Sequence, residues 1–395
     1  MALGLRAGLA AACAALAALF AGPSAAALTP YPPQPNGAAW PTFEWSYGPA
    51  QGVDIERLTE QVEQKTRSRD PLLGETRAVL IVQGGRIVLE RYAPGYSAAT
   101  RLVSWSMAKS ITQAAVGVAA AQKKIDPNAP MAPGFWPQGD PRGTITWRQW
   151  LNMVDGQKYV EMDAPSAAES DAAKQLYGPG RLDVARYCAS LPQAHPPGAH
   201  WNYNTCGINL VGAALARAVS PADDAAVRRA ATADWLGKSL FGPIGMTSAQ
   251  PEFDAAGAFL GGSLVYATAQ DFARFGLLYL RGGAWDGRQI VPRLWVDFAR
   301  TPTPAKNVDT YGAGWWLTPA KGEGAPYRSL IVGGPIDAFS AQGHEGQVIL
   351  IVPSKDLVIV RLGRFDEQRG SWDALGDWLG ELARSFPDAA KPAAP

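Results

Sequence analysis

Two β-hairpin signatures lie near opposite ends of this chain, with a long helix-rich span between them. The first is Ala78-Val-Leu-Ile-Val-Gln-Gly-Gly-Arg-Ile-Val-Leu-Glu-Arg-Tyr92, two β-rich runs around the turn pair Gly84-Gly85. The second joins Gln347-Val-Ile-Leu-Ile-Val-Pro353 to Leu357-Val-Ile-Val-Arg361 through Ser354-Lys-Asp. Strands at both ends with helices between them imply an α+β fold: an antiparallel sheet closed by distant parts of the chain and flanked by helices, with a large, mostly helical subdomain inserted over about 106–251. A final helix, Trp372 to Ser385, should cover that sheet with Leu375, Trp378, Leu379 and Leu382.

The 395 residues, 47% of them hydrophobic, suffice for a large core, and a net charge of +1 gives no field favouring nucleic acid or an anionic membrane surface. Residues 1–27 read as a secretory signal: Arg6, an Ala/Leu-rich run from Ala7 to Ala21, then small residues ending at Ala27, too short a run to span a bilayer. A periplasmic or secreted mature protein is expected. Leu28 to Gly52, rich in Pro and Gly, reads as an extended arm, residues 53–386 as the folded domain, and 387–395 as a disordered tail. Cys13 falls in the signal, which leaves Cys188 and Cys206 either to pair in an oxidising compartment or to remain buried thiols.

Many chemistries leave no trace. There is no G-x-S-x-G elbow, H-E-x-x-H, Walker loop or G-x-G-x-x-G, and the chain has only three histidines. No metal or cofactor is expected, and a histidine-based triad has few candidates. What stands out is Ser106-Met-Ala-Lys109, opening an apolar helical run with Ile111, Ala114, Ala115, Val118 and Ala119 on one stripe. Helix positions i and i+3 share a face, so the serine hydroxyl and the lysine amine come within proton-transfer reach. The opening turn also offers unpaired N–H groups to an oxyanion. Chance alone supplies about one S-x-x-K in a chain of this length.

Further segments add weight. Pro197-Gly-Ala-His-Trp-Asn-Tyr203 leads a tyrosine into another helical run, and Gly343-His-Glu-Gly-Gln347 feeds a glycine-rich turn into a strand. With Trp150-Leu-Asn-Met153, Thr268-Ala-Gln-Asp-Phe-Ala-Arg-Phe-Gly276 and Trp315-Trp316, in this order, the chain resembles the serine β-lactamase and penicillin-binding-protein superfamily over roughly 54–382. Within it, the look is nearest to β-lactamase-like carboxylesterases and 6-aminohexanoate-dimer hydrolases. The resemblance implies that Ser106 attacks a carbonyl, that Lys109 takes or relays its proton, and that Tyr203 shares the base role and protonates the leaving group. It places Thr205 where β-lactamases have an amide-reading Asn, and His344-Glu345-Gly346 at the K-T-G strand motif. The oxyanion hole is expected from the N–H groups of Ser106 and Gln347. Tyr159 is expected to contact substrate from a loop.

Replacing the strand lysine by His344 removes a cation, and Glu345 adds negative charge where substrate carboxylates dock in β-lactamases. Like charges in one pocket repel. Short-chain esters or linear amides of the aminohexanoate type therefore suit the sequence better than penicillins or D-Ala-D-Ala peptides. Trp105, Trp201, Trp315 and Trp316 are candidates for flat apolar walls. The alternatives are a D,D-peptidase or β-lactamase proper, and a silent homologue that binds wall fragments.

Overall fold

The computed structural model describes residues 28–389 apart from 132–134, 162–163, 167, 319–329 and 367–369. The proposed signal, 1–27, lies outside the described residues. Six strands form one antiparallel sheet: β1 (Glu75–Gln83), β2 (Arg86–Tyr92), β3 (Trp316–Leu317), β4 (Phe339–Gly343), β5 (Gln347–Val352) and β6 (Leu357–Arg364), in spatial order β2-β1-β6-β5-β4-β3. Distant ends of the chain meet at the centre, where β1 pairs with β6 through Leu80↔Val360 and Val82↔Val358. The first hairpin closes as its sequence predicts. Gln83 faces Arg86 across Gly84 (φ 59°) and Gly85 (φ 72°), two left-handed positions of a two-residue turn that only glycine fills without strain.

Both faces of the sheet are covered, which explains why its strands read as unbroken apolar runs. On one face Val79, Ile81, Val348, Leu350 and Ile359 pack with α1 (Ile55–Arg67) and α10 (Ser371–Ser385). Leu58 and Val62 of α1 and Leu375, Leu379 and Leu382 of α10 fill that layer. On the other face Leu80, Val82, Ile349, Ile351, Val358 and Val360 meet the main core. There α8 (Ala269–Leu280) approaches so closely that a Cβ at Gly276 would lie 2.6 Å from Val358 Cγ1.

Between β2 and α8 run α2 (Ala108–Ala121), α3 (Trp147–Leu151), α4 (Asp171–Leu176), α5 (Val184–Ser190), α6 (Thr205–Val219) and α7 (Ala225–Leu236), and α9 (Arg293–Ala299) follows α8. Helix α2 departs from the single apolar stripe expected of it, for it is buried on every side from Ala108 to Ala120. Its polar residues are satisfied internally: Ser110 donates to Gly314 O at 2.6 Å, Thr112 to Gly261 O at 2.8 Å and Gln113 to Trp295 O at 3.0 Å. Cys188 and Cys206 form a disulfide that ties α5 to the start of α6, deciding the question the spacing left open.

The arm is extended and strapped down, with Arg300 donating to Thr29 O and Arg274 to Pro41 O. The tail needs correction at its start. Pro387–Ala389 are seated on the domain, the Ala389 N–H donating to Ser354 O at 2.8 Å and Lys355 pairing with Asp388 at 3.1 Å; 390–395 lie outside the described residues. Among the described residues no helix is long and apolar enough to cross a membrane.

Two outcomes test this description. Leu379→Ala, at a fully buried site, should cost about 2–5 kcal/mol in urea unfolding. A chain starting at Leu28, unfolded without reductant, should take up no iodoacetamide, and after reduction it should take up label at both Cys188 and Cys206.

Candidate active site

Ser106 occupies a short 3-10 turn, Trp105–Met107, that runs straight into α2, so the serine lies two positions before the first residue of the α-helix proper, Ala108. The turn is held from behind by buried Ser104, whose N–H donates to Val265 O at 2.9 Å and whose hydroxyl accepts from Val265 N–H at 3.0 Å. Trp105 adopts φ 45°, a left-handed conformation that costs a bulky residue about 1–3 kcal/mol. Packing against the sheet maintains it: a Cβ added to Gly343, at the end of β4, would fall 2.2 Å from Ser104 O, and the Trp105 ring meets His344 edge-on at 5.3 Å. Only glycine lets the strand come this near the nucleophile turn.

One turn further on, Lys109 is almost completely buried. Its Nζ lies 2.8 Å from Ser106 Oγ, 2.8 Å from Thr205 Oγ1 and 2.7 Å from Gly262 O. Three oxygens thus accept from three N–H bonds. Loss of hydration pushes its pKa down to about 8, against the opposing field of Glu161. The Gly261-Gly262 bend reaches the amine because Gly262 has no side chain; a Cβ there would lie 2.8 Å from Thr205 O.

Tyr203 enters the site from the segment before α6, with Lys109 Nζ 4.8 Å from the centre of its ring. Trp316 stacks on that ring at 5.4 Å, and Trp201 and Tyr311 close the box at 6.4 and 6.0 Å. Of the four candidate wall tryptophans, Trp201 and Trp316 surround the tyrosine and half-buried Trp105 lies beside Ser106. Trp315 instead packs in the core against Phe275, Tyr279 and Phe339. Asn204, the N-cap of α6, accepts from Gly207 N–H and donates to Asp155 Oδ1 at 2.9 Å. Burial pushes the Asp155 carboxyl up to about 6.

Thr205 does not face outward to read an amide. Its hydroxyl accepts from Lys109 and donates to Glu161 Oε1 at 2.9 Å, while its N–H donates to Glu161 Oε2 at 3.2 Å. Tyr159 also turns inward: it is buried, donates to Glu161 Oε2 at 2.8 Å and accepts from Gln175 at 3.0 Å, so its hydroxyl is engaged within the protein. Burial and the neighbouring Glu161 hold its phenol well above the usual range. Glu161 is the residue that sequence reasoning missed. A signal existed, because extended residues two apart point to the same side, and Tyr159 and Glu161 stand in that relation.

The His344–Gly346 turn is built on β4 and β5 and is held open by Arg361, which is fully buried in β6. Arg361 donates to Glu345 O at 3.0 Å, Gly346 O at 2.8 Å and Leu73 O at 2.6 Å. Glu345 takes φ 61°, and its carboxylate lies 3.3 Å from Arg364 Nε. The negative charge that Glu345 adds to this turn is therefore partly balanced by Arg364. Gln347 is buried across the ladder from Gly343, and its side-chain amide donates to His344 O and Gly363 O and accepts from Gly363 N–H. It clamps the turn, whereas Gly343 is the strand residue pressed on the serine turn.

Structural comparison finds the same fold in proteins of low identity. A Bacillus anthracis protein, provisionally named a 6-aminohexanoate-dimer hydrolase, superposes with a TM-score of 0.64 at 20% identity, over 87% of this chain and 89% of its own. A penicillin-binding-protein homologue from Caulobacter crescentus gives 0.57 at 14%, covering 85% and 99%. A class C β-lactamase in complex with cefoxitin gives 0.57 at 14%, covering 84% and 98%. Comparison with curated protein sequences finds no significant match. The Beta-lactamase family model matches residues 75–368, a span that holds the serine turn, the buried lysine, Tyr203 and the strand turn. The chain belongs to the β-lactamase family, the group of serine β-lactamase and penicillin-binding-protein-like hydrolases.

Proposed function

We propose that this protein is a serine hydrolase that cleaves short-chain esters or linear amides through an acyl-enzyme on Ser106. The observation that carries the reading is the 2.8 Å contact between the Ser106 hydroxyl and a lysine amine that burial has made easy to deprotonate. Neutral Lys109 accepts the Ser106 proton as Oγ bonds to the substrate carbonyl carbon. Collapse of the tetrahedral adduct breaks the C–O or C–N bond, and Tyr203 supplies a proton to the departing oxygen or nitrogen. Water then attacks the acyl carbon and gives a proton to the Tyr203 phenolate, and Ser106 Oγ leaves with the proton that Lys109 holds, which restores all three groups. The Ser106 N–H and the Gln347 N–H, on the strand residue paired with Gly343, are the donors proposed for the oxyanion. Silent binding of wall fragments has no use for a desolvated amine, whose burial is costly.

The substrate class rests on His344 replacing a strand lysine and on half-buried Trp105, which offers an apolar surface beside Ser106. A second reading, D,D-peptidase or β-lactamase, draws support from Arg364, whose half-exposed guanidinium beside Glu345 offers a partner for a substrate carboxylate. Turnover of a short-chain nitrophenyl ester without a chromogenic cephalosporin favours the first reading, and the reverse favours the second. Export to the periplasm or medium is proposed from residues 1–27, and the disulfide supports it.

A fluorophosphonate should label the native protein and leave Ser106→Ala unlabelled. Because the neutral amine is the active form, kcat/KM for the ester should rise with pH and level off, with a midpoint near 8. Lys109→Ala should lower the plateau by at least about 10²-fold and remove that limb.

A further inference from the structure

The three contacts of Lys109 pose a directional problem. A neutral amine has two N–H bonds and one lone pair, so one contact must reverse when the ammonium loses its proton. Gly262 O cannot donate. The Thr205 hydroxyl has one proton and lies between Lys109 Nζ at 2.8 Å and Glu161 Oε1 at 2.9 Å. If that proton turned toward the amine, the lone pair would be occupied and Ser106 would have no base.

We propose that Glu161 is a positioning residue for acylation: its carboxylate holds the Thr205 proton, so Ser106 is the one neighbour able to deliver a proton to neutral Lys109. This rests on the reading of Ser106 as nucleophile and Lys109 as its base. An ionised carboxylate only accepts, and this one is aimed by donors on both oxygens: the Thr205 hydroxyl on Oε1, and the Thr205 N–H and the Tyr159 phenol on Oε2. Gln175 fixes Tyr159 in turn and belongs to the same buried layer. The bond changes balance without a further reactant. The proton leaves Ser106 Oγ for Nζ, Oγ bonds to the acyl carbon, and Thr205 keeps its proton on Glu161 throughout. The titratable groups facing this cluster are Lys109 from α2, Tyr159 and Glu161 from the loop after α3, Asp171 at the start of α4, Tyr203 at the head of α6, and Tyr311 from the segment before β3.

The experiment compares native protein, E161Q, T205V and T205S by the pH profile of kcat/KM on p-nitrophenyl butyrate, with fluorophosphonate labelling and near-ultraviolet circular dichroism alongside. A glutamine amide can donate to Thr205 and turn its proton onto the lysine. E161Q should therefore lower the plateau by about 10²-fold, the low end of a general-base contribution. Its midpoint should also move to lower pH, because the charge that favours the ammonium is gone. T205V should lose a similar factor, because without the Thr205 oxygen to accept it the second N–H of the neutral amine turns onto Ser106 Oγ and the lone pair points away, and T205S should restore most of it. The proposal is overturned by an E161Q profile equal to native, by a plateau loss with an unmoved midpoint, or by T205S no better than T205V. Should E161Q fail to fold, the pair T205V and T205S decides. A native protein that takes no fluorophosphonate label, whatever its variants do, marks instead the failure of the Ser106 reading and takes this proposal with it.

Discussion

A primary amine held out of water is the constraint on which this site depends. Lys109 gains nothing from burial as a hydrophobe; its desolvation is tolerated because three oxygens from three separate segments receive its N–H bonds. Those segments are the nucleophile turn, the head of α6 and the Gly261-Gly262 bend, so satisfying one nitrogen fixes their mutual positions. The same desolvation gives the amine its chemistry. An exposed lysine would be fully protonated near neutral pH and could take no proton from a serine.

Around that nitrogen the fold supplies rigidity from both sides. The strained Trp105 conformation is wedged by the end of β4, and the turn beyond β4 is gripped by Arg361, a cation solvated by backbone carbonyls rather than by a bonded carboxylate. Burial pulls its pKa down to about 9, a measure of how far the protein has stripped it of water. Both features are costly taken singly. Together they set the gap between serine and strand, the place proposed for a developing oxyanion.

Much of this was legible in the chain. The Gly84-Gly85 hairpin, the strands either side of Ser354-Lys-Asp, the covering helix with Leu375 and Leu379, and the pairing of Ser106 with Lys109 all follow from local spacing, and local spacing survives folding. What could not be read were relations between remote residues. Glu161 is an ordinary loop acid until Thr205 and Tyr159 converge on it, and Tyr159 looks like a substrate contact until its hydroxyl is found engaged from behind. The partner of Glu345 was not legible either, because Arg364 belongs to another strand. Helix α2 hid its burial on all sides because small alanines and internally bonded polar residues do not raise hydropathy as leucines would.

The pairing of β1 with β6 carries a consequence for biosynthesis. Ser106, Lys109 and Tyr203, the side chains proposed for catalysis, are translated before β4, yet the wall facing the serine and the central neighbour of β1 come only with the last strands. A nascent chain holds β1 and β2 as a lone hairpin, marginal in water, until Leu357–Arg364 leaves the ribosome. The order of synthesis thus puts the site's completion last: a chain that stopped upstream of β6 would carry the proposed reactive groups without the central strand that joins the two parts of the sheet.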